Sequence, residues 1–284
     1  SPVLGNAFGK NILYVCSPAD GKIYAFNATV SSSKIGKELS PWYSSSGTYS
    51  VDASPAVSDD YVIVATSEIN ASNKVYALDK SDFTEKWSYQ YTTGDICYSS
   101  SPNIANDKVF LTSWNGVIWD TPLVSFLYSY KLLTGNNKVI ALNVADGSKL
   151  WDSDLPAGSF STPAVADDMV FVGCDNMFGH NLLVFNEDTG EKIWNVSLGL
   201  FGRSSPVVYN GKVFVVVKQQ SLFSARGDVK LIALDEYTGE MIWNKTIAEK
   251  IAAFELLPRG LGFYNVISTA TPAIYENTIY VTSP

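Results

Sequence analysis

The residues that could carry metal or redox chemistry are few and widely separated in this chain of 284 residues. Its three cysteines, Cys16, Cys97 and Cys174, form no Cys-x-x-Cys pair, and its one histidine is His180. A zinc site, an iron–sulfur cluster or a c-type haem needs several such ligands at short spacings. We therefore predict no metal site and no cofactor, and we expect the thiols to be buried on strands.

Residues for hydrolytic catalysis are also missing. A Ser-His-Asp arrangement would have to use His180, and no nucleophile elbow accompanies that histidine. The paired carboxylates Asp59-Asp60 and Asp167-Asp168 fall in predicted turns, where aspartate is common because its side chain bonds to the nearby backbone. We interpret them as solvated turn residues, and the sequence predicts no catalytic residue and no enzyme activity.

The charge balance argues against nucleic acid as a partner. The net charge is −8, the pI is near 4.7 and there is no basic run, so phosphate backbones and anionic membrane surfaces would be repelled. No apolar run reaches the roughly 20 residues that span a bilayer. Low charge content and four Asn-x-Ser/Thr sequons favour an exported protein, extracellular or on the cell surface, with a periplasm-like compartment as an alternative. The predicted N-glycosylation sites are Asn27, Asn70, Asn195 and Asn244.

Two short patterns recur along the chain, at a shortest spacing of 43 residues. One is a Ser/Thr-Pro pair followed by apolar residues, as in Ser54-Pro55-Ala56-Val57. The other is a tryptophan that closes each unit. The Ser/Thr-Pro pairs begin at Ser1, Ser54, Ser101, Thr162, Ser205 and Thr271, and the tryptophans are Trp42, Trp87, Trp151, Trp194 and Trp243.

Each unit contains four apolar segments separated by turn residues, which predicts four short antiparallel strands that we name A to D. Strand A follows the Ser/Thr-Pro pair, B follows a short turn such as Asn210-Gly211, C is an apolar run such as Leu231–Leu234, and D bears the tryptophan. Repeats of this kind are typical of a β-propeller, whose neighbouring blades cover one another's faces. The five tryptophans are predicted to fill the wedges between blades, each indole N–H bonding a neighbouring backbone.

The pattern Ala-Leu/Phe-Asp/Asn, then x-x-Thr-Gly, then Trp resembles the PQQ-like repeat family of β-propellers, and Phe185–Trp194 and Leu234–Trp243 match it best. The resemblance covers essentially the whole chain, so residues 1–284 are predicted to form a single domain. It implies an all-β fold of four-stranded antiparallel blades, with five complete repeats and part of a sixth in this sequence. The family includes quinoprotein dehydrogenases, the lipoprotein scaffold of the bacterial outer-membrane assembly machine, and sensor or cell-surface propellers.

The sixth unit contains strands A and B but not C and D. Thr282-Ser283-Pro284 aligns with Cys16-Ser17-Pro18, where strand B of the first unit ends. A propeller that stopped there would have an open edge, so we expect the polypeptide to continue and the propeller to have about six to eight blades.

The long insertions fall between strands B and C or between D and the next A, so antiparallel alternation places them on one face. Loops on a rigid scaffold commonly carry binding sites, which favours a partner-binding surface there; the alternative is that these loops pack over the channel mouth.

Ala248–Leu257 is predicted to be helical, and Arg226-Gly227-Asp228, at a predicted loop tip, is interpreted as a chance match to an adhesion tripeptide. The insertions are Trp114–Asn137, Asp175–Asn181, Lys218–Asp228 and Ile247–Ser268, and the candidate interaction residues are Trp119, Phe126, Tyr128, Tyr130, Phe178, His180, Arg226, Phe254 and Arg259.

The sequence thus favours a non-catalytic propeller that contacts other proteins or further copies of itself; glycans are a further candidate partner class. The alternative is a quinone- or carbohydrate-binding propeller, including a PQQ-dependent dehydrogenase. PQQ enzymes of this fold resemble one another in a vicinal Cys-Cys, a tryptophan floor and a Ca²⁺ held by carboxylate and amide oxygens. This sequence has no adjacent cysteines and no convergent Glu/Asn/Asp set, which weakens that alternative.

Overall fold

The structure is a computed structural model that consists, in the part it describes, of β-strands and their connections, which confirms the predicted all-β class. The chain divides into two compact units, Ser1–Asn115 with Ile140–Trp151, and Gly116–Val139 with Asp152–Pro284. The described residues are 2–7, 10–17, 22–28, 42–43, 53–66, 69–71, 73–91, 94–116, 137–174, 181–199, 201, 204–220, 226–252, 254–256, 263–265 and 271–281.

The first two sheets, here called blades one and two, are antiparallel and keep the predicted order A, B, C, D. Blade one consists of β1 (Val3–Ala7), β2 (Lys10–Ser17), β3 (Lys22–Asn27) and β4 (Trp42–Tyr43). Blade two begins with β5 (Ala56–Val57) and β6 (Tyr61–Ala65), is interrupted by the short strand β7 (Ile69–Ala71), and ends with β8 (Lys74–Asp79) and β9 (Glu85–Gln90).

Blade three carries two strands more than the repeat requires. Strand β10 (Gly94–Ser99) precedes its own four strands, β11 (Asn103–Ala105), β12 (Lys108–Gly116), β13 (Lys138–Asn143) and β14 (Lys149–Asp154). The sheet runs in the order β14-β13-β12-β10-β7, with β11 also pairing with β12. The extra strands therefore come from the B–C connection of blade two and from the D–A connection that follows it.

The second unit contains two complete blades in the predicted strand order, followed by two hairpins. Blade four consists of β15 (Ala164–Ala166), β16 (Met169–Cys174), β17 (Asn181–Asn186) and β18 (Lys192–Ser197). Blade five consists of β19 (Val207–Tyr209), β20 (Lys212–Gln220), β21 (Arg226–Asp235) and β22 (Met241–Ala252). Two hairpins follow, β23 (Phe254–Leu256) with β24 (Phe263–Asn265), and β25 (Ala273–Tyr275) with β26 (Thr278–Tyr280), the A and B strands of unit six.

The A–B turns are tight because their residues tolerate a left-handed backbone. In four of them two successive residues have positive φ, the geometry of a type I′ hairpin turn that favours Asn, Asp and Gly. The Asp59-Asp60 turn is stabilised differently: the Ser58 hydroxyl oxygen accepts hydrogen bonds from the backbone N–H groups of Asp60 and Tyr61. The four positive-φ turns are Asn106-Asp107, Asp167-Asp168, Asn210-Gly211 and Glu276-Asn277.

The C–D turns explain the Asp/Asn-x-x-Thr-Gly pattern. Asp235 Oδ1 accepts the backbone N–H groups of Tyr237 and Thr238 at 3.0 and 2.9 Å, which folds the chain back after strand C. Gly239 then takes φ 72°, a conformation that costs glycine little and other residues about 1–2 kcal/mol. Asn186 and Gly190 repeat this arrangement in blade four.

Each of two tryptophans packs against the C–D turn of the next blade. The Trp87 indole N–H donates to the Val144 carbonyl at 2.9 Å, and that of Trp194 donates to the Glu236 carbonyl at 3.2 Å. A Cβ atom added to Gly239 would lie 2.7 Å from the Trp194 ring, so only glycine lets the ring lie flat on the turn. We call this arrangement the indole seat. It consists of the carbonyl of the residue that follows the Asp or Asn of the C–D turn, and of the positive-φ residue three positions beyond that carbonyl.

The seat between blades one and two is occupied differently. Lys80 supplies the carbonyl there, and the Tyr14 hydroxyl donates to it at 3.2 Å. Phe83 takes the glycine's place with φ 61°, and its ring meets the Tyr14 ring edge-on at a centroid distance of 6.2 Å. Trp42 lies on β4, and its side chain is outside the described residues. Sequence reasoning missed Tyr14 because a tyrosine within an apolar strand reads as ordinary core.

The Ser/Thr-Pro pairs link successive blades by hydrogen bonds. The Ser54 N–H donates to Ser101 Oγ at 2.9 Å in the first unit. In the second unit the Thr162 N–H donates to Ser205 Oγ at 2.9 Å, and the Ser205 N–H donates to Thr271 Oγ1 at 3.1 Å. In these three links the hydroxyl of one repeat satisfies a backbone donor of the preceding one, which gives the residue before proline a physical role.

Apolar side chains from facing sheets fill the space between blades. Between blades four and five, Phe171 and Val184 pack with Val213 and Ile232, all of them fully buried. Burying such a side chain stabilises a fold by about 1.5–3 kcal/mol. This packing, together with the indole seats, fixes the position of each blade against the next within its unit.

Two sequence-based expectations about connections were wrong. Ala248–Leu257, predicted to be helical, instead lies largely on β22 and β23, because pairing with β21 and β24 outweighs the helical preference of its Ala, Glu and Leu residues. Arg226-Gly227-Asp228 is not at a loop tip. It begins β21 and pairs with neighbouring strands on both sides, which removes the exposed turn that an adhesion tripeptide needs.

We predict that Gly239→Ala destabilises the fold more than Gly211→Ala, by about 1–3 kcal/mol, the usual cost of overpacking. Both glycines have the same left-handed backbone, φ 72° and 70°, but a Cβ at Gly211 would meet nothing within 4 Å. The difference between the two variants in urea unfolding therefore isolates the contact with Trp194. Equal losses of unfolding free energy would show that the ring moves aside without cost.

Candidate interaction surfaces

Each blade has two ends that differ in chemistry. The A–B and C–D turns form one end, here called the turn end, and the B–C and D–A connections form the other, the loop end. In the first unit, β7 and β10 both belong to the loop end and pair with each other at Ala71 with Gly94 and Ile69 with Ile96. The loop end there is therefore a hydrogen-bonded ribbon, and its backbone groups are held by the sheet.

In the second unit the loop end of blade five is enlarged by longer strands. Strands β20, β21 and β22 have 9, 10 and 12 residues, whereas β16, β17 and β18 of blade four have 6 each. The added pairs are Lys218 with Val229, Gln219 with Asp228 and Gln220 with Gly227. We call residues 218–220, 226–229 and 248–252 the blade-five ribbon. Its outer strand, β22, pairs only with β21 in the described chain.

The structure places few of the predicted interaction residues. Arg226 begins β21 in the blade-five ribbon and Phe254 begins β23, although the side chains of both lie outside the description. The others, Trp119, Phe126, Tyr128, Tyr130, Phe178, His180 and Arg259, lie outside the described residues.

The predicted glycosylation sites lie on strands. Asn195 on β18 and Asn244 on β22 are exposed, and each follows the tryptophan of its D strand directly. Asn27 ends β3 and is half-buried, and Asn70 is on β7 with its side chain outside the description. Exposure on a D strand leaves room for a glycan, so Asn195 and Asn244 are the better candidates.

Lys218, in the blade-five ribbon, is a buried amine that sequence reasoning missed. It is 1% exposed, and its Nζ has no hydrogen-bond partner in the described part of the chain. Burial lowers the pKa of this lysine. The physical reason is that a charged ammonium loses its hydration when it is buried.

The turn end of the second unit exposes several aromatic side chains. Tyr237, in the C–D turn of blade five, is 57% exposed, and Tyr275 and Tyr280, beside the A–B turn of unit six, are 65% and 55% exposed. Trp243 on β22 is 37% exposed, although Trp87 on β9 is only 8% exposed. Exposed Tyr and Trp are typical of protein contact surfaces. Sequence reasoning missed this surface because it treated the turn end as plain.

A buried carboxyl group lies at the indole seat between blades four and five. Glu236 is 1% exposed, and its Oε1 has no hydrogen-bond partner among the described residues. Burial, followed by the nearby carboxylate of Asp167, raises the pKa of Glu236 to about 7. The pKa of the neighbouring Asp235 is shifted in the opposite direction, because hydrogen bonds from Thr238 lower it. A glutamate inside a turn motif is usually solvated, so sequence reasoning did not identify the burial of Glu236.

The described residues include all three cysteines, which lie on separate strands. Cys16, Cys97 and Cys174 are on β2, β10 and β16, so no two are adjacent. Cys174 is buried and Cys16 is half-buried, and burial raises the pKa of the Cys16 thiol to about 12. No group of three or more His, Cys, Asp and Glu side chains suited to a metal ion occurs among them. The described part also has no helix long and apolar enough to cross a bilayer.

Comparison with protein families gives one match that covers nearly the whole sequence. The model of the family "Outer membrane protein assembly factor BamB" matches residues 5–121 and 125–284. No curated protein matches the sequence.

Solved structures with a similar fold fall into two groups. BamB from Moraxella catarrhalis superposes with a TM-score of 0.52 at 12% identity, covering 99% of this chain and 93% of that one. A europium-containing methanol dehydrogenase has a TM-score of 0.60 at 13% identity, and quinohemoprotein alcohol dehydrogenase from Comamonas testosteroni 0.55 at 16%. The match to the methanol dehydrogenase covers 89% of this chain and 62% of that protein's chain. The match to the alcohol dehydrogenase covers 82% of this chain and 39% of that protein's chain. These similarities confirm the β-propeller fold.

We predict that stability falls as pH rises from about 4.5 to 7 and that Glu236→Gln removes part of this loss. The folded pKa of Glu236, about 7, lies above its ordinary value of 4.5, so the folded state binds more protons in that window. The free energy of unfolding must therefore decrease with pH there, and it is greatest below 4.5 for this group. Glutamine keeps the side chain neutral throughout.

Urea unfolding at pH 4.5, 6 and 8 measures the effect. Glu240→Gln is the matched control, because Glu240 is exposed in the same turn. The groups facing Glu236 are Asp167, Asp235 and Tyr237, with Lys212 near Asp235. Identical pH slopes for the wild-type protein and Glu236→Gln would contradict a protonated Glu236.

Proposed function

The chain belongs to the family "Outer membrane protein assembly factor BamB", and from that premise we propose that it is a non-catalytic scaffold that binds other proteins at the loop ends of its blades. The observation that carries the proposal is the enlargement of the loop ends by paired strands. β7 with β10 in the first unit and the blade-five ribbon in the second replace irregular loops with sheet.

Such ribbons suit recognition by backbone hydrogen bonding. A strand that pairs on one side only has a row of N–H and C=O groups available to an incoming extended segment. Strands β7 and β22 are of this kind in the described chain. Each is already paired with one strand of its sheet, so less conformational entropy is lost when a partner strand adds than when an unpaired loop is ordered.

The proposed setting is the outside of a cell membrane. The family's name refers to assembly of outer membrane proteins, which suits a periplasm-like compartment, and the sequons suit an extracellular or cell-surface location. In either setting residues 1–284 would act as one propeller domain. Partners would be proteins or further copies of the chain, and glycans would occupy Asn195 and Asn244 if the host glycosylates exported proteins.

A second candidate function is supported by the dehydrogenase folds among the similar structures. It is a quinone- or carbohydrate-binding propeller, including a PQQ-dependent dehydrogenase. The described residues contain neither adjacent cysteines nor a group of three or more His, Cys, Asp and Glu side chains suited to a metal ion, so they lend no support to this function. We therefore place this function second.

We predict that photo-crosslinkers at the loop end capture a defined protein and that those at the turn end do not. Two strands supply matched pairs: on β18, Ser197 at the loop end with Lys192 near the turn end, and on β9, Gln90 with Glu85. All four residues are exposed, so substitution should leave the fold intact. The readout is the covalent adduct formed in the producing cells and identified by mass spectrometry. Adducts formed only from Lys192 and Glu85 would contradict the proposal.

We also predict that PQQ with Ca²⁺ does not change the unfolding temperature of the protein. Thermal unfolding should show no shift at any ligand concentration up to about 1,000 times the dissociation constant of a true quinoprotein, where a real site would add about 4 kcal/mol. A quinoprotein dehydrogenase serves as the positive control. A saturable rise in the unfolding temperature together with a quinone absorbance change would favour the dehydrogenase function instead.

A further inference from the structure

A carboxyl group of blade five lies against a carboxyl group of blade four at the turn end of the second unit. Glu236, in the C–D turn of blade five, is 1% exposed, whereas Asp167, in the A–B turn of blade four, is exposed. The two side chains are within hydrogen-bonding reach of each other. Ionised carboxylates can only accept hydrogen bonds, so this contact needs a donor that neither group has when both are charged.

The donors near this pair do not serve Glu236. The Tyr237 hydroxyl donates to Asp167 Oδ2 at 2.9 Å, whereas Glu236 Oε1 has no hydrogen-bond partner among the described residues. The positive charge of Lys212 acts on Asp235. An ionised Glu236 would therefore be a buried charge that faces a second negative charge, which is a costly arrangement.

A proton on Glu236 supplies the missing donor. The protonated carboxyl group has an O–H that the Asp167 carboxylate can accept. Burial, followed by the charge of Asp167, raises the pKa of Glu236 to about 7, so the proton is held at acidic pH. A Ca²⁺ ion fits less well, because it takes about six to eight oxygen ligands. The described residues hold no group of three or more His, Cys, Asp and Glu side chains suited to a metal ion.

The backbone of Glu236 is part of an indole seat. Its carbonyl accepts the Trp194 indole N–H at 3.2 Å, and its own N–H donates to the Gly211 carbonyl at 3.1 Å. A side chain that moves toward water when it ionises therefore pulls on a residue that joins blade four to blade five. The seat of Trp87 in the first unit has Val144 at this position, whose side chain does not ionise.

We infer that Asp167, Glu236 and Tyr237 form a proton-operated latch between blades four and five, closed while Glu236 donates to Asp167 and open once Glu236 has lost its proton to solvent. In the closed state Glu236 and Tyr237 both donate to the Asp167 carboxylate, which joins the two turns. In the open state the carboxylates repel, Glu236 moves toward solvent and the Trp194 N–H loses its acceptor. The latch lies at the turn end and the proposed function at the loop ends, so either can fail without the other.

The latch is closed on the acidic side of neutrality. Folding raises the pKa of Glu236 to about 7, so the closed state predominates below that pH and the open state above it. The titratable side chains carried by the elements around Glu236 are Asp167 and Asp168 in the A–B turn of blade four, Glu187, Asp188 and Glu191 in its C–D turn, Lys192 on β18, Tyr209 and Lys212 beside the A–B turn of blade five, and Asp235, Tyr237 and Glu240 in the C–D turn of blade five.

The test follows the Trp194 indole in the 284-residue chain labelled with 5-fluorotryptophan. In ¹⁹F NMR spectra recorded between about pH 5 and 9, the Trp194 resonance should shift with a midpoint of about pH 7. The Trp87 resonance should not follow it, because no carboxyl group belongs to that seat. Trp194→Phe and Trp87→Phe assign the two signals, and Glu236→Gln should abolish the Trp194 transition.

Two variants of one turn separate the latch from simple burial of Glu236. Asp167→Asn removes the facing charge and adds an amide donor, so it should lower the midpoint by about one pH unit or more. Asp168→Asn is the matched control, because Asp168 is exposed in the same turn with a similar left-handed backbone, and should leave the midpoint unchanged. An unchanged midpoint in Asp167→Asn, or equal shifts in both variants, would overturn the inference.

Hydrogen exchange of the wild-type indoles tests the latch without any variant. Base catalysis speeds the exchange of the Trp194 and Trp87 N–H groups equally, so the ratio of their rates reports the opening of one seat relative to the other. This ratio should rise about tenfold between pH 6 and 8, as the proton leaves Glu236. A constant ratio would overturn the latch. So would Ca²⁺ at about 1 mM restoring the low-pH signal of Trp194 at pH 8, because a cation would then close the contact.

Discussion

The hydrogen bond from an indole to a turn carbonyl is the interaction on which the blades depend. A tryptophan that fills the space between two sheets must satisfy its N–H, and the buried seam offers few acceptors. The C–D turn supplies one because its Asp or Asn side chain binds the turn's own N–H groups, which leaves the following carbonyl available. The positive-φ glycine completes the arrangement by removing the Cβ that would separate ring from backbone. Trp87 and Trp194 combine ring, carbonyl and glycine, whereas the seat between blades one and two keeps the carbonyl but uses the Tyr14 hydroxyl and Phe83.

This dependence explains how much of the fold could be predicted. The A-to-D order followed from local chemistry, namely two-residue turns with Asn, Asp and Gly, and apolar runs of strand length, so it required no knowledge of distant contacts. The extra strands β7 and β10 could not be predicted in the same way, because their pairing joins two connections that are about 25 residues apart and neither is strongly apolar. Pairing also outweighed the local preference of residues 248–257 for a helix.

The candidate surfaces were harder to predict than the blades for a physical reason. Packing constrains a blade residue through many neighbours, and the sequence records that constraint as periodicity. A residue on an end of a blade is constrained by a partner that the sequence does not contain. Glu236 and Lys218 show a related difficulty. Their charged side chains are expected to be exposed to solvent, and only the positions of the surrounding strands reveal that both are buried. Tyr14 was missed for the opposite reason, as its hydroxyl is used within an apolar strand.

The hydroxyl link between Ser/Thr-Pro pairs has a consequence for how such a protein can change its size. The donor comes from one repeat and the acceptor from the next, and both are supplied by the same residue position, as Ser205 shows by playing both parts. For this hydrogen bond, the described units therefore have the same chemistry on their leading and trailing sides. Duplication of a whole unit would leave each added donor of this kind with an acceptor, so this link would not limit growth in the number of blades by gene duplication.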